Sequence, residues 1–362
     1  VRGDDARQGT GPRLRPGVEV LWCDTTTVQL GTDDRWAVRL SDLSPASARA
    51  LMSVPRGADA PSLRRALRAE GVDPLEIEAV LAHLAASRLL LETTGVRSSP
   101  EELTWSLLTE DADPRPVLAP RARQVVRVCG LGRTGLGIAA GLAAGGVGTL
   151  ELDDDLLVGP HDTGAGGFTA RDVGAVRSTA AARVLHDVAP TVRTAPHRGG
   201  RRNGRSPAAP DLVVLVEHGA ADPVRHRPWL RESVDHLSVV LREASVLVGP
   251  LVRPGHGPCL HCVDLHRAEQ DPYWPTVAAQ LALGGTRSRR GEETVLALTA
   301  AALATGQVLA HLDGLAATTH TGALEVRLPE AVPRSMGWPV HPDCGCTGLV
   351  TDGSAAEPAA RV

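Results

Sequence analysis

Two short segments far apart in the chain, Pro258-Cys259-Leu260-His261-Cys262 and Asp343-Cys344-Gly345-Cys346, each carry a pair of closely spaced thiols. Pairs of this kind are the two halves of a closed tetrahedral site of four cysteines, and Gly345 relieves the tighter second turn. Four soft ligands leave no open position. The spacing therefore predicts a structural zinc at Cys259, Cys262, Cys344 and Cys346, fastening the end of the chain to its middle; the alternative is two unrelated buried pairs. The first twenty residues contain no apolar h-region and no run of eighteen apolar residues follows, so the expectation is a cytoplasmic protein with no membrane span. In a reducing compartment disulfides are disfavoured, and Cys23 and Cys129, which fall in strand-like runs, are expected in the core.

At 362 residues the chain is long enough for two domains. It contains no lysine, so its 38 basic residues are all arginine, which excludes a Walker-type phosphate lysine, a Schiff base and a lysine general base. A formal net charge of -4 argues against a dedicated nucleic-acid binder.

Between tails at 1–12 and 351–362, the pattern begins with three short strands, Val18 to Cys23, Thr27 to Gly31 and Ala37 to Asp42. Helices follow after Ser44-Pro45, over Ala60 to Glu70, and after Asp73-Pro74, where Ile77, Val80, Leu81 and Leu84 form one stripe. Three strands and three helices suggest a small winged-helix-like α+β module over 14–93. Pro-rich residues 94–122 read as a linker with room for one short helix. A Rossmann-like α/β domain is then expected over 123–350. It starts with a buried strand, Val125 to Cys129, running into Gly130-Leu131-Gly132-Arg133-Thr134-Gly135 and a helix to Gly145. Further elements are a strand Thr149 to Leu152, a helix Val173 to Val188, a strand Asp211 to Glu217, one long strand region Ser238 to Val252, an apolar helix Glu292 to Leu312 and a strand Leu324 to Leu328. The loops 197–210 and 284–291 are rich in arginine and glycine and are expected at the surface.

The glycine segment lies between a strand and a helix, with acids at the end of the next strand. In that context Gly130, Gly132 and Gly135 permit close approach of a phosphate to the helix N-terminus, and Asp154 can accept hydrogen bonds from ribose hydroxyls. The alternative is a glycine turn retained for packing alone. Among His256, His261 and His266, which surround the first cysteine pair, His261 is expected to be a neighbour of the metal or exposed, since four thiolates already complete the site.

Residues 123–349 resemble the ThiF/MoeB superfamily of adenylating enzymes. The likeness rests on Val125 to Gly135 leading into Gly146-Val147-Gly148-Thr149-Leu150-Glu151-Leu152, on Asp172-Val173-Gly174 opening a helix, on the Cys259/Cys262 knuckle after a long strand, and on the late helix and terminal cysteine pair. It implies a fold that binds ATP and Mg and on which a carboxyl terminus attacks the α-phosphate, commonly as a homodimer. This chain departs from the pattern. The family's Asn-Leu-x-Arg-Gln arginine is absent from Asp162-Thr163-Gly164-Ala165-Gly166-Gly167; the phosphate lysine corresponds to Arg177; and the metal-associated aspartate corresponds to His218 beside Glu217. Those groups act together on developing phosphate charge, so the resemblance implies the fold more firmly than the reaction.

Within the superfamily, Gly257 to Arg267, Asp271-Pro272-Tyr273-Trp274-Pro275 and His341 to Cys346 are similar to actinobacterial ThiF-like proteins of peptide natural-product clusters, some of which assist YcaO-type cyclodehydratases. Residues 14–93 resemble the PqqD-like module that holds a precursor's leader peptide. The resemblance implies that an exposed edge including Val38 and Leu40 pairs with an extended leader while Ile77, Val80 and Leu81 supply pockets. A structural cap and a DNA reader using Arg64, Arg65 and Arg68 are the alternatives. Adenylation of a peptide or sulfur-carrier carboxylate is the competing function.

Overall fold

The structure is a computed structural model that describes residues 11–92, 99–196, 209–284 and 291–349. Residues 1–10, the tail at 351–362 and nearly all of the arginine-rich loops at 197–210 and 284–291 lie outside these residues, whereas Pro12, expected in the first tail, begins a strand. The chain divides into two compact units, Val1–Ala119 and Pro120–Val362.

In the first unit the described elements run β1 (Pro12–Leu14), β2 (Val20–Asp24), β3 (Thr27–Leu30), β4 (Val38–Leu40), α1 (Pro45–Ser53), α2 (Ala60–Ala69), α3 (Pro74–Ala86), β5 (Leu90–Glu92) and α4 (Pro100–Leu108). The strands form a three-stranded antiparallel sheet in the order β2-β3-β4 and a separate β1-β5 pair. Each of the first three helices starts where the sequence places a cap followed by proline. Ser44, Asp59 and Asp73 accept hydrogen bonds from Ser47, Ser62 and Leu75 main-chain N–H groups, satisfying donors that the first turn leaves unpaired. Glu76 of α3 also accepts from Ser44 N at 2.8 Å and Ser47 Oγ at 2.7 Å, tying α3 to the start of α1. Val28, Leu30, Leu51, Leu63, Leu67 and Leu84 fill the core.

Two expectations change here. The stretch read as a linker carries α4 and α5 (Arg115–Arg121). Its Ser-Ser-Pro signal is a capping box, in which Ser99 Oγ accepts from Glu102 N and Glu102 Oε2 accepts from Ser99 N. Cys23 is exposed and not in the core, because the register of β2 shifts between Trp22 and Asp24 and this end of the strand faces solvent.

The second unit comprises β6 (Val125–Cys129), α6 (Arg133–Ala144), β7 (Thr149–Asp153), α7 (Arg177–Val188), β8 (Arg193–Pro196), β9 (Leu212–His218), α8 (Pro223–Arg231), β10 (Asp235–Leu241), β11 (Ser245–Val252), α9 (Leu260–Gln270), α10 (Trp274–Gly284), α11 (Thr294–Leu312), β12 (Gly322–Arg327) and β13 (Arg334–Gly337). They build one eight-stranded sheet in the order β13-β12-β11-β10-β9-β6-β7-β8. The five strands from β10 to β8 are parallel, and β11 to β13 continue antiparallel. The single long strand expected over Ser238 to Val252 is a hairpin, closed by Arg242 N donating to Ser245 O. Periodicity missed the turn because both strands are buried on both faces and read as continuous apolar runs.

α11 is long and apolar enough to cross a membrane by length and composition. Its stripe Leu296, Ala300, Ala304 and Val308 is buried in the core of this unit. The glycine-rich face of α6 allows α11 this close: a Cβ at Gly137 would lie 2.8 Å from Ala301 Cβ, and one at Gly141 would lie 2.6 Å from Thr305 Oγ1. At the far end of this contact Arg121, itself buried, forks onto Asp313 through Nε at 2.8 Å and Nη2 at 2.5 Å, and donates to Gly145 O at 2.8 Å.

Candidate functional sites

The order of the parallel strands reverses between β6 and β9, which leaves a crevice beyond their carboxyl ends. A cavity of about 260 Å³ occupies it, with the turn after β6 on one wall. Gly130 holds a positive φ of 91° and sits so close to β9 that a Cβ there would meet Val216 O at 2.6 Å. Gly135 follows on the first turn of α6, packed on Gly130 O.

Glu292, just before α11, reaches into this turn. Its Oε2 accepts from Thr134 N at 2.6 Å, so a carboxylate takes a main-chain donor at the start of α6. A Cβ at Gly132 would collide with Glu292 Oε1, so a side chain there would require the carboxylate to shift. His218 Nε2 lies 3.5 Å from the same oxygen. Burial works against ionisation of Glu292, but the nearby His218 imidazole and the bond from Thr134 N hold its carboxyl below the usual range. As arranged here, the cradle does not fit an ATP phosphate, because an anion is already in place.

Asp154 and Arg177, expected at a nucleotide, bind each other. Asp154 Oδ2 accepts from Leu131 N at 2.7 Å and from Arg177 Nη1 at 3.1 Å, and its Oδ1 accepts from Leu156 N at 2.9 Å. Arg177 Nη2 also meets both oxygens of Asp162 at 2.8 Å. Desolvation disfavours the charge on Arg177, and these carboxylates more than restore it. Sequence reasoning noted at residues 162–167 only that an arginine was missing; Asp162 turns that segment into a counter-ion.

At the end of β9, Glu217 Oε1 accepts long bonds from Asp222 N at 3.3 Å and Arg225 Nη1 at 3.4 Å, while Oε2 is buried without a partner among the described residues. Burial pushes this carboxyl up to about 7, against the pull of Arg225.

The four cysteines converge as their spacing required. Cys259 caps the start of α9, Cys262 lies on its first turn, and the Sγ atoms of Cys259 and Cys344, and of Cys262 and Cys346, are 3.6 Å apart. Cys259 and Cys262 are 3.9 Å apart. A tetrahedron with metal–sulfur bonds of about 2.3 Å has edges of about 3.8 Å, so the four buried sulfurs can hold one metal ion. His261 is exposed and takes no part. The loop carrying Cys344 is braced instead by His341, whose Nδ1 accepts from Asp343 N at 3.1 Å and whose Nε2 bonds Glu269 Oε1 at 3.0 Å.

In the first unit β4 is an edge strand, paired only to β3 among the described residues. Beside it runs an open groove of about 620 Å³, with Trp36, Val38, Leu89, Leu107 and Leu108 along it and Arg35 and Arg88 among its charged residues. Val38 is half-buried on this groove. Leu40, Ile77, Val80 and Leu81 are 3%, 2%, 4% and 5% exposed and belong to the core, so the pockets expected from them are not available to a partner. An apolar helix stripe has the same pattern whether it faces a core or a groove. The groove's own residues, Trp36, Leu107 and Leu108, carried no periodic signal.

The sequence model of the ThiF family matches residues 121–331. No curated protein matches the sequence. Solved structures share the fold: E. coli MccB with ATP, 15% identical over 92% of this chain and 99% of that one with a TM-score of 0.60; the microcin C7 biosynthetic enzyme MccB in complex with N-formylated MccA, 15% over 93% and 99% with 0.62; and PaaA, 15% over 89% and 99% with 0.60.

Proposed function

The chain belongs to the ThiF family, and on that premise we propose that it binds the leader segment of a ribosomal precursor peptide and presents it to a partner YcaO-type cyclodehydratase. The observation that carries this reading is the edge of β4, unpaired on one side among the described residues, alongside an open groove of mixed polar and apolar lining. An extended peptide gains main-chain hydrogen bonds by adding to such an edge, and side-chain pockets beside it give selectivity. Residues 14–93 form the core of the recognition module in this reading, with α4 completing the groove; residues 123–350 form the ThiF-like body, closed by zinc on Cys259, Cys262, Cys344 and Cys346. The occupied cradle and the paired Arg177 favour binding over adenylation.

The test is titration of the full chain with leader peptides encoded beside it. Val38→Pro, which alters the edge, and Leu108→Arg, on the exposed rim of the groove, should each weaken binding at least about tenfold, or about 1.4 kcal/mol. Thermal melts verify that both variants fold. Absence of binding by every neighbouring precursor overturns the reading. The competing function, ATP-dependent adenylation of a peptide or carrier carboxylate, draws support from the fold shared with MccB, which has been crystallised with ATP. ATP–pyrophosphate exchange with a candidate substrate tests it directly.

A further inference from the structure

The start of α6 offers main-chain N–H groups that in this architecture commonly face a ligand's phosphate. Here the donor at Thr134 is taken by Glu292 Oε2 at 2.6 Å, and Glu292 Oε1 fills the space that Gly132 leaves open. The side chain is 5% exposed. Its own main chain is clamped: Arg133 Nη1 donates to Glu292 O at 2.8 Å and Arg133 Nη2 to Thr294 Oγ1 at 2.9 Å. The two arginines lining the cavity are also engaged, Arg177 by Asp154 and Asp162, and Arg225 by Glu217. Glu217 Oε2, on a side chain 4% exposed, is left in the same cavity as an acceptor with no donor among the described residues.

We infer that Glu292 is a built-in counter-anion that holds the place of a ligand phosphate and sets the cavity's preference against polyphosphates. A phosphate and this carboxylate compete for one N–H group and repel each other in one buried volume. Entry of a phosphate-bearing ligand therefore requires Glu292 to leave the cradle. The unmet Glu217 acceptor suits the hydrogen-bond-donating part of such a ligand. The carboxylate device belongs to the second unit alone and operates whether or not the first unit binds a leader.

Calorimetric titration of the full-length protein with MgATP, and separately with magnesium pyrophosphate, tests it in wild type, Glu292→Gln and Glu292→Ala. Glutamine keeps the shape and an acceptor for Thr134 N but removes the charge, whereas alanine removes both. The expected order of affinity is alanine, then glutamine, then wild type, with alanine at least about tenfold tighter than wild type. A gain shared by pyrophosphate places the effect at the phosphates. Thermal melting shows that each variant is folded, and the glutamine variant alone decides the matter if alanine is not. Wild type binding MgATP as tightly as the variants, or no binding by any folded variant, overturns the inference.

Discussion

Replacing Glu217 by glutamine removes the most strained ionisation in the cavity of the second unit. The side chain is 4% exposed; one oxygen accepts two long hydrogen bonds and the other none among the described residues. Burial raises its carboxyl from 4.5 to about 7. Between those values the folded protein binds more protons than the unfolded chain, so this group's contribution to stability falls as pH rises through the window and is lowest above it. The displacement corresponds to about 3 kcal/mol at about 1.4 kcal/mol per unit. Glutamine has the same shape, retains the acceptor for Asp222 N and Arg225, and has no proton to lose. The stability difference between variant and wild type should thus be near zero at acid pH and grow to about 3 kcal/mol in favour of the variant above neutrality. It must be read as a difference, because His226, lowered by burial to about 3, and His320, lowered by burial to about 4, tilt both proteins the other way in acid. Urea unfolding monitored by tryptophan fluorescence across the pH range provides it. A difference that does not change with pH, or that favours wild type at high pH, refutes the reasoning.

Three further outcomes are expected. Asp313→Ala removes the carboxylate onto which the buried Arg121 guanidinium forks, and should cost about 3–5 kcal/mol in denaturant unfolding; Arg121→Met with Asp313→Leu should recover most of it. His226 is 2% exposed with neither ring nitrogen bonded among the described residues, and its folded pKa lies below the unfolded value, so stability is lost as pH falls below about 6.5. His226→Leu should remove roughly 3 kcal/mol of that loss near pH 4, visible as a flatter acid limb in thermal melts. Cys344→Ser should abolish stoichiometric zinc by elemental analysis and destabilise the second unit, where Val252, Leu260 and the four cysteines form one cluster, while a 14–93 unfolding signal is unchanged.

The sequence by itself determined the elements whose signals are local. Val125–Cys129 is the strand expected, the caps Ser44 and Asp73 start helices where they were placed, and the two cysteine knuckles have few geometries open to them. Local patterns failed where one pattern serves two environments. Ile77, Val80 and Leu81 have a spacing that fits a peptide groove and a core equally, and only the packing of α3 against α1 and α2 assigns them to the core. The hairpin at β10 and β11 vanished into one apolar run for the same reason. The cavity depended most on tertiary structure. Glu293 is a readable cap for α11, accepting from Val295 and Leu296 N–H groups, but Glu292 has no local task, and its partner Thr134 is 158 residues away. Asp162 likewise becomes the counter-ion of Arg177 only when the fold brings them together. Which carboxylate neutralises which cation is decided by distance in three dimensions under desolvation, and sequence spacing carries no record of that distance.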